Sequence, residues 1–273
     1  MRLRNITAWL GLIMIVVASP PFAWAIDAIF LGTAVLWMLA SNHAERRRAW
    51  TRLQLATSTI LIFLLLLFPT LEISHRRMPK ITGAAADHLV IIGDSISSGI
   101  DPRQPAWPAA MQQMTGIPVK NLARPGAQVI EGLAMANAVT TEDHVVLIEI
   151  GGNDLLGGVP SSDFEIALNR LLSKLSIPGR AVVMFELPLL PHKIAYGQIQ
   201  RRLATKYGVW LIPKRYFADI LGGADATSDG LHLSYAGTQR MAALVAKALA
   251  PILRHPAAGS PGEDNTKRPA VLN

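Results

Sequence analysis

The chain has 273 residues, of which 51% are hydrophobic and 16% are charged, and its formal net charge is +7. This length holds one substantial domain with additional segments, and the apolar share is higher than in an ordinary soluble protein. The complete lack of cysteine excludes disulfides, thiolate metal sites and a cysteine nucleophile. Part of the positive charge flanks apolar segments, so we do not interpret it as a nucleic-acid-binding surface.

Long apolar segments dominate the first eighty residues. The run from Asn5 to Ala40 is interrupted only at Ser19–Pro21 and at Asp27. As a single helix it would measure about 54 Å, well beyond a ~30 Å hydrocarbon core, and consecutive prolines favour a turn. We therefore predict a two-span hairpin here, followed by a third span. The predicted membrane anchor covers residues 1–80, with spans at about 5–19, 22–40 and 55–73.

Basic residues between these segments set the expected orientation. Arg2 and Arg4 precede the first span and a basic cluster at 43–52 follows the second, so the positive-inside rule places both in the cytoplasm. The third span then delivers the rest of the chain outside the cytoplasm, on the periplasmic side. The basic stretch at 75–80 argues the other way, and one long kinked crossing instead of the hairpin would leave the domain in the cytoplasm. A cleaved signal peptide fits less well, because further apolar spans follow at once.

Short apolar runs alternate with helix-like stretches beyond residue 87. This pattern predicts one three-layer α/β/α sandwich over 87–253 with a parallel five-stranded sheet, and a flexible tail over 254–273. The predicted strands are 88–93, 119–122, 145–151, 181–187 and 209–212, and the predicted helices are 107–115, 129–139, 164–175, 194–207 and 234–249.

Polar residues and glycines follow several predicted strands, where ligand sites gather in parallel sheets. Ser95 comes just after the first strand, Gly126 after the second and Asn153 after the third. Asp229 and His232 directly precede the last helix. Each has an ordinary interpretation as a helix cap, a turn residue or a loop residue. Their coincidence at one edge of the sheet instead indicates a functional site.

These residues resemble the signature of the SGNH or GDSL hydrolases. The matching segments are "GDS" with Ser95, "NLARPGA" with Gly126, "GGND" with Asn153, and "DGLH" with Asp229 and His232, in the order of that family. The segment "AWP" at 106–108 also resembles the thioesterase I, lysophospholipase and arylesterase branch. The resemblance spans about 87–253 and implies a flavodoxin-like SGNH fold with esterase activity. Pro125, directly before Gly126, departs from the pattern and stiffens that loop.

Ester hydrolysis requires a nucleophile, a base and donors to an oxyanion, and the residue types in this set can supply each of them. A serine hydroxyl is a poor nucleophile without a base, and His232 suits that task because imidazole titrates near neutral pH. Asp229 would hold the imidazole in one tautomer, which completes a triad with Ser95. The oxyanion would be bound by the backbone N–H groups of Ser95 and Gly126 and by the Asn153 amide. Asp94 is expected to support the serine turn rather than to join the triad.

The sequence thus predicts a membrane-anchored serine ester hydrolase that cleaves acyl or acetyl esters of lipids, thioesters or glycans through an acyl-enzyme. Its partners would be the acyl-ester substrate and the lipid bilayer, with no cofactor, metal or nucleic acid. His144 and His192 are isolated histidines without a metal-ligand cluster. The apolar residues after strand ends are candidates for an acyl pocket, although core or lid packing explains them equally well: Leu155, Leu156, Leu189 and Leu190.

Two other functions are compatible with the same residues. One is acyl transfer to a glycan hydroxyl, but the large membrane acyltransferases of the family carry many more spans than the three predicted here. The other is a catalytically silent module that binds glycan or lipid. An intact set of serine, aspartate and histidine argues against the silent module, because a pure binder has no need of all three.

Overall fold

The computed structural model of the protein describes residues 24–43, 48–189 and 193–254. The predicted span at 5–19 and almost all of the predicted tail lie outside these residues. The candidates Leu190 and His192 also lie outside them.

A five-stranded parallel sheet forms the centre of the molecule, with the strand order β2-β1-β3-β4-β5. Its strands are β1 (Leu89–Gly93), β2 (Val119–Asn121), β3 (Val145–Glu149), β4 (Ala181–Phe185) and β5 (Trp210–Ile212). The register pairs Val90 with Val146 and Ile91 with Leu147. The predicted five-stranded α/β fold is therefore confirmed. Because all strands are parallel, their carboxyl ends share one side of the sheet, called here the carboxyl edge, and their first residues share the opposite amino edge.

The central strands are apolar at nearly every position because both faces of the sheet are covered. Leu89 and Ile91 belong to the core on one face, while Val90 and Ile92 belong to the core on the other. Successive side chains of a strand point to opposite faces, so a strand buried on both sides carries apolar residues at nearly every position.

Helices cover both faces of the sheet and also precede it. They are α1 (Trp24–His43), α2 (Arg48–Ile73), α3 (Ser95–Ser98), α4 (Trp107–Thr115), α5 (Val129–Met135), α6 (Gly152–Gly157), α7 (Ser161–Leu175), α8 (Ile194–Tyr207), α9 (Lys214–Leu221) and α10 (Tyr235–Leu249). The bounds of α4 and α8 agree with the prediction. The helix predicted at 129–139 ends at Met135 and continues as a 3-10 turn. The short helices α3, α6 and α9 were not predicted.

Helices α1 and α2 pack against each other and form what we call the N-terminal hairpin. The Trp37 indole N–H donates to the Ser58 hydroxyl at 2.9 Å across their interface. Several large apolar side chains of the hairpin point outward, among them Phe63 and Leu66, which are 61% and 68% exposed. Within the described residues, no helix combines the length and the apolar character that crossing a membrane requires. The predicted spans at 22–40 and 55–73 are therefore not confirmed.

The segment from 77 to 88 connects the hairpin to β1 and runs from the carboxyl edge to the amino edge. At its start, Met78 and Pro79 line a cavity together with Glu186, which directly follows β4. Further along, Gly83 lies so close to the first residue of β4 that an added Cβ would be 3.1 Å from the Ala181 Cβ. The segment thus passes along the full length of the sheet before β1 begins.

Candidate active site

Ser95 is the first residue of α3, which begins directly after β1. Asp94 caps this helix, because its Oδ1 accepts the Ile96 N–H at 3.0 Å. At the other end of this short helix, the Gly99 N–H donates to the Ser95 carbonyl at 3.0 Å. The side chain of Ser95 is half-buried at the carboxyl edge. Asp94 thus supports the turn that presents the serine, as its position in the sequence predicts.

Gly93 is required before this turn because of close packing. A Cβ at this position would lie 2.7 Å from the Ser97 Cβ and 2.9 Å from the Glu149 carbonyl oxygen. Neither atom is the far end of a flexible side chain. A larger residue would therefore push β1 and α3 apart and move Ser95.

Gly126 lies in a tight turn after β2. The Ala127 N–H donates to the Arg124 carbonyl at 3.3 Å, and Gly126 has a φ of 73°. Proline at the second position and a positive-φ glycine at the third are the pattern of a type II turn, so Pro125 fits this loop. The turn is tied to β1, because the Arg124 N–H donates to the Gly93 carbonyl at 3.1 Å.

Asn153 joins the segments that carry Ser95 and Gly126. It lies in the first turn of α6, and its Nδ2 donates to Asp94 Oδ2 at 3.2 Å and to the Ala127 carbonyl at 3.0 Å. These two acceptors are the direct chain neighbours of Ser95 and Gly126. The structure therefore brings three of the predicted site residues together at the carboxyl edge.

His232 and Asp229 form a compact pair before α10. The carboxylate Oδ1 of Asp229 accepts the backbone N–H groups of Leu231 and His232 at 3.0 and 2.8 Å. Its Oδ2 lies 2.6 Å from Nδ1 of the His232 ring. These contacts, the backbone N–H of His232 first among them, lower the pKa of Asp229 well below its usual range. Asp229 therefore stays ionised and directs Nδ1–H toward itself, which leaves Nε2 available as a base.

Ser95 and His232 line the same open cleft of about 210 Å³. Gly99, Ile100, Pro105 and Ala106 also line this cleft. Within the described part of the chain, no hydrogen bond joins the Ser95 hydroxyl to the imidazole. Catalytic hydrogen bonds are often long in ligand-free enzymes and shorten when substrate binds.

A buried acidic residue, Glu149, contacts the turn that carries Ser95, and its role was not predicted from the sequence. Glu149, the last residue of β3, accepts the Ser97 hydroxyl at 2.7 Å, and the Trp107 indole N–H donates to the same hydroxyl at 3.2 Å. Burial, reinforced by the nearby charge of Asp94, raises the pKa of Glu149 well above its usual value. The available signal was a glutamate within an otherwise apolar strand.

Asp94 also has a perturbed protonation equilibrium. Its burial raises the pKa to about 6, from a usual value of 3.8. The folded state therefore binds this proton more tightly than the unfolded chain, and the stability linked to Asp94 is lost as the pH rises through 6.

We expect Asp94→Asn to reduce the pH dependence of stability. The wild-type protein should lose up to about 3 kcal/mol more unfolding free energy than the variant between about pH 4 and about pH 7. Urea unfolding at both pH values measures this difference, and comparison of the two proteins cancels the titration of groups that do not interact with Asp94. Parallel pH profiles for the two proteins would contradict the assigned pKa.

The apolar candidates among the described residues differ in their burial. Leu155 is buried in the core, Leu156 is 55% exposed, and Leu189 packs partly against the core. Leu155 is therefore a core residue and not part of an acyl pocket. Among the described residues, no cluster of three or more His, Cys, Asp or Glu side chains could hold a metal ion.

Comparison with known proteins decides the family. A model of the GDSL-like lipase/acylhydrolase family matches residues 91–240, which is more than half of the chain and includes every candidate site residue. The chain belongs to this family. It is a GDSL-type hydrolase of the esterase and lipase class.

Named relatives of this GDSL hydrolase are esterases and thioesterases. Esterase TesA of Pseudomonas aeruginosa is 29% identical over 186 residues, which cover 62% of this chain and 91% of that relative. Thioesterase 1/protease 1/lysophospholipase L1 of Escherichia coli K12 is also 29% identical, over 182 residues covering 63% of this chain and 88% of the relative. A crystal structure of TesA superimposes with a TM-score of 0.54 at 28% identity, covering 61% of this chain and 99% of that structure.

Proposed function

We propose that this GDSL hydrolase cleaves acyl esters through a covalent acyl-enzyme formed on Ser95. The observation that carries the proposal is that Ser95 and His232 line one cleft, with Asp229 paired to the far nitrogen of the imidazole. This is the arrangement that a serine nucleophile needs for activation. The named relatives, which are esterases and thioesterases, support the same reaction class.

The proposed reaction has two steps. The Ser95 hydroxyl attacks the acyl carbonyl while its proton moves to Nε2 of His232. Asp229 stabilises the imidazolium, and the imidazolium then protonates the departing alcohol or thiol. In the second step His232 deprotonates a water molecule, which attacks the acyl carbon. The bond between that carbon and Ser95 Oγ then breaks, the imidazolium returns the proton to Ser95, and the acid is released. No metal or cofactor takes part in this scheme.

Three groups are proposed to bind the oxyanion. The N–H groups of Ser95 and Gly126 come from two turns that the Asn153 amide holds together. One N–H of Asn153 stays on the Ala127 carbonyl and positions the Gly126 loop. The other, whose contact with Asp94 Oδ2 is longer at 3.2 Å, would turn to the oxyanion.

The reaction class can be tested with p-nitrophenyl esters of graded chain length. The purified full chain should hydrolyse these esters, and the chain length with the highest kcat/KM would define the acyl specificity. An absence of hydrolysis with every ester and thioester tested would refute the proposed activity.

Asn153→Ala should lower kcat by on the order of 10²-fold to 10³-fold, the usual effect of losing one oxyanion donor. Because the side chain also makes two hydrogen bonds, the variant should lose roughly 1–3 kcal/mol of unfolding free energy. Steady-state kinetics and urea unfolding measure the two effects.

The matched control is Asn169→Ala. Its side-chain oxygen accepts hydrogen bonds from Lys206 and Tyr207, each at 2.9 Å, on the surface away from the cleft. This variant should lose stability but keep its kcat. Equal kcat losses in both variants would mean that Asn153 acts only through stability.

We further propose that residues 1–80 anchor the enzyme in a membrane, with the catalytic residues outside the cytoplasm. The apolar composition of this region and the outward-facing apolar side chains of the hairpin support the anchor. The basic flanks of the first two predicted spans support the orientation.

Fusions after Leu253 test this topology. Alkaline phosphatase folds only outside the cytoplasm, so its fusion should be active, while a fluorescent protein at the same point should stay dark after Sec export. A fluorescent but phosphatase-inactive pair would refute the extracytoplasmic placement and favour cytoplasmic thioesters as substrates.

A further inference from the structure

A buried ionic network joins the N-terminal hairpin to the α/β part of the chain. The guanidinium of Arg201, on α8, donates to both carboxylate oxygens of Glu72, near the end of α2, at 2.9 and 2.7 Å. Its Nε donates to Glu186 Oε1 at 2.6 Å. The side chains of Arg201 and Glu72 are only 11% and 13% exposed, and Glu186 is fully buried. We call Glu72, Arg201 and Glu186 the Arg201 network.

The Arg201 network determines the orientation of the end of α2 more than it stabilises the fold. Buried ion pairs contribute little net free energy, because desolvation offsets most of the attraction. A bidentate contact between guanidinium and carboxylate is, however, planar and geometrically specific. The other oxygen of Glu186 accepts the backbone N–H of Lys214 at 3.1 Å, which ties the network to the start of α9. The end of α2 is therefore held in one orientation.

This attachment lies at the carboxyl edge, where the candidate active site also lies. Glu186 directly follows β4, and Lys214 comes two residues after β5. Ser95 follows β1, which is two strand positions from β4 in the sheet order. At the usual strand spacing this separation is about 10 Å. The hairpin precedes β1 in the chain and yet contacts the carboxyl edge. Residues 77–88 make this possible, because they run from the carboxyl edge to the amino edge, where β1 begins.

The two helices of the hairpin make their main contacts with each other and not with the strands of the sheet. Helix α2 is about 39 Å long at 1.5 Å per residue. Among the described elements it packs extensively only against α1 and the 3-10 turn that continues it. Its outward-facing apolar side chains occur along most of its length, including Leu55, Ile62 and Ile73. A helix that is apolar on several faces needs an apolar environment.

Charge at the base of the hairpin indicates a lipid bilayer as that environment. Arg76, Arg77 and Lys80 are exposed just after α2, where the apolar surface ends. Basic side chains at this level would be attracted to the headgroups of anionic lipids. The apolar hairpin therefore matches the hydrocarbon core of a bilayer, and the three basic residues that follow it match a layer of anionic headgroups.

We infer that the Arg201 network holds the carboxyl edge of the sheet toward the bilayer that contains the hairpin, so that the cleft takes acyl esters from that bilayer. This inference rests on the proposed esterase function and the proposed membrane anchor, and it adds the substrate class, esters resident in the membrane. Glu72 and Arg201 are positioning residues in this scheme, because they touch no substrate.

The test uses the full chain reconstituted in vesicles of phosphatidylcholine and phosphatidylglycerol, with two substrates. One is water-soluble p-nitrophenyl acetate and the other is a long-chain fluorogenic ester dissolved in the same vesicles. Glu72→Ala removes the hairpin contact but leaves Arg201 paired with Glu186. Its rate on the soluble ester should stay within about twofold of wild type. Its rate on the vesicle ester should fall by on the order of tenfold, because only a fraction of molecules then hold the productive orientation.

Glu165→Ala is the matched control, because it removes a surface ion pair between Glu165 and Arg202, the neighbour of Arg201, with a 2.6 Å contact. It should change neither rate. An unchanged ratio of the two rates in Glu72→Ala, whether both are retained or both fall, would overturn the inference. Failure of the proposed function itself is distinguishable, since the wild type would then hydrolyse neither substrate.

Orientation can also be measured without catalysis, because the chain has no cysteine and accepts single labels. A fluorophore on Gln104→Cys reports on the cleft, and one on Ala84→Cys, which is exposed near the amino edge, is the reference. Quenching by headgroup-labelled lipid should be stronger at position 104, and the difference should shrink when Glu72→Ala is added. Equal quenching at both positions would contradict the inferred orientation.

Discussion

Ser95→Ala should abolish both ester hydrolysis and labelling by a fluorophosphonate probe. Ser95 begins α3 and lines the same cleft as His232, and removing a nucleophile of this kind costs on the order of 10⁶-fold in kcat. Gel fluorescence after probe treatment measures the labelling, and a p-nitrophenyl ester assay measures the rate.

The control for this experiment is Ser98→Ala in the same short helix. The Ser98 hydroxyl donates to the Gly99 carbonyl at 3.2 Å, so its loss perturbs the helix without touching the nucleophile. Ser98→Ala should label like the wild type. Labelling of Ser95→Ala at the wild-type level would show that another residue forms the covalent adduct.

Asp229→Asn should lower kcat by on the order of 10⁴-fold although its shape hardly changes. Asp229 Oδ1 accepts two backbone N–H groups, and an asparagine would keep its oxygen there. Its amide nitrogen would then face Nδ1 of His232 and donate to it. The imidazole proton would move to Nε2, where it prevents His232 from accepting the serine proton.

Steady-state kinetics measure this effect, and Asp219→Asn is the control because Asp219 is exposed on α9. That variant loses the same charge and should keep its kcat. An Asp229→Asn enzyme with wild-type kcat, on a substrate whose chemical step limits turnover, would exclude a role for Asp229 in holding the tautomer.

The sheet could be predicted from the sequence because its three central strands are buried on both faces. The runs around Ile91 and Leu147 are apolar without a break, and this pattern differs from the amphipathic period of the covering helices. The end of α8 was also predictable, since Gly208 has a φ of 65° and caps the helix. The short helices α3, α6 and α9 were missed because four to eight residues carry too little periodicity.

Part of the candidate site was predictable and part was not. Ser95, Gly126 and Asn153 follow strands, and a parallel sheet necessarily gathers such residues at one edge. The individual hydrogen bonds could not be predicted, because they join residues far apart in sequence. Asn153 and Asp94, for example, are 59 residues apart. Glu149 was overlooked because its strand is otherwise apolar, and its partner Ser97 lies in a four-residue helix that the sequence pattern did not predict. The contact between Glu72 and Arg201 spans 129 residues and has no local signal.

The first and last residues of the α/β part lie next to each other. The Ala86 N–H donates to the Ile252 carbonyl and the Arg254 N–H donates to the Ala86 carbonyl, both at 2.8 Å. Neighbouring ends of this kind allow a fold to be circularly permuted, since a short peptide can join them while new ends open in a surface loop. Because this pairing lies at the amino edge, a fusion partner placed after Leu253 stands at the end of the sheet opposite the cleft and leaves the path of the substrate open.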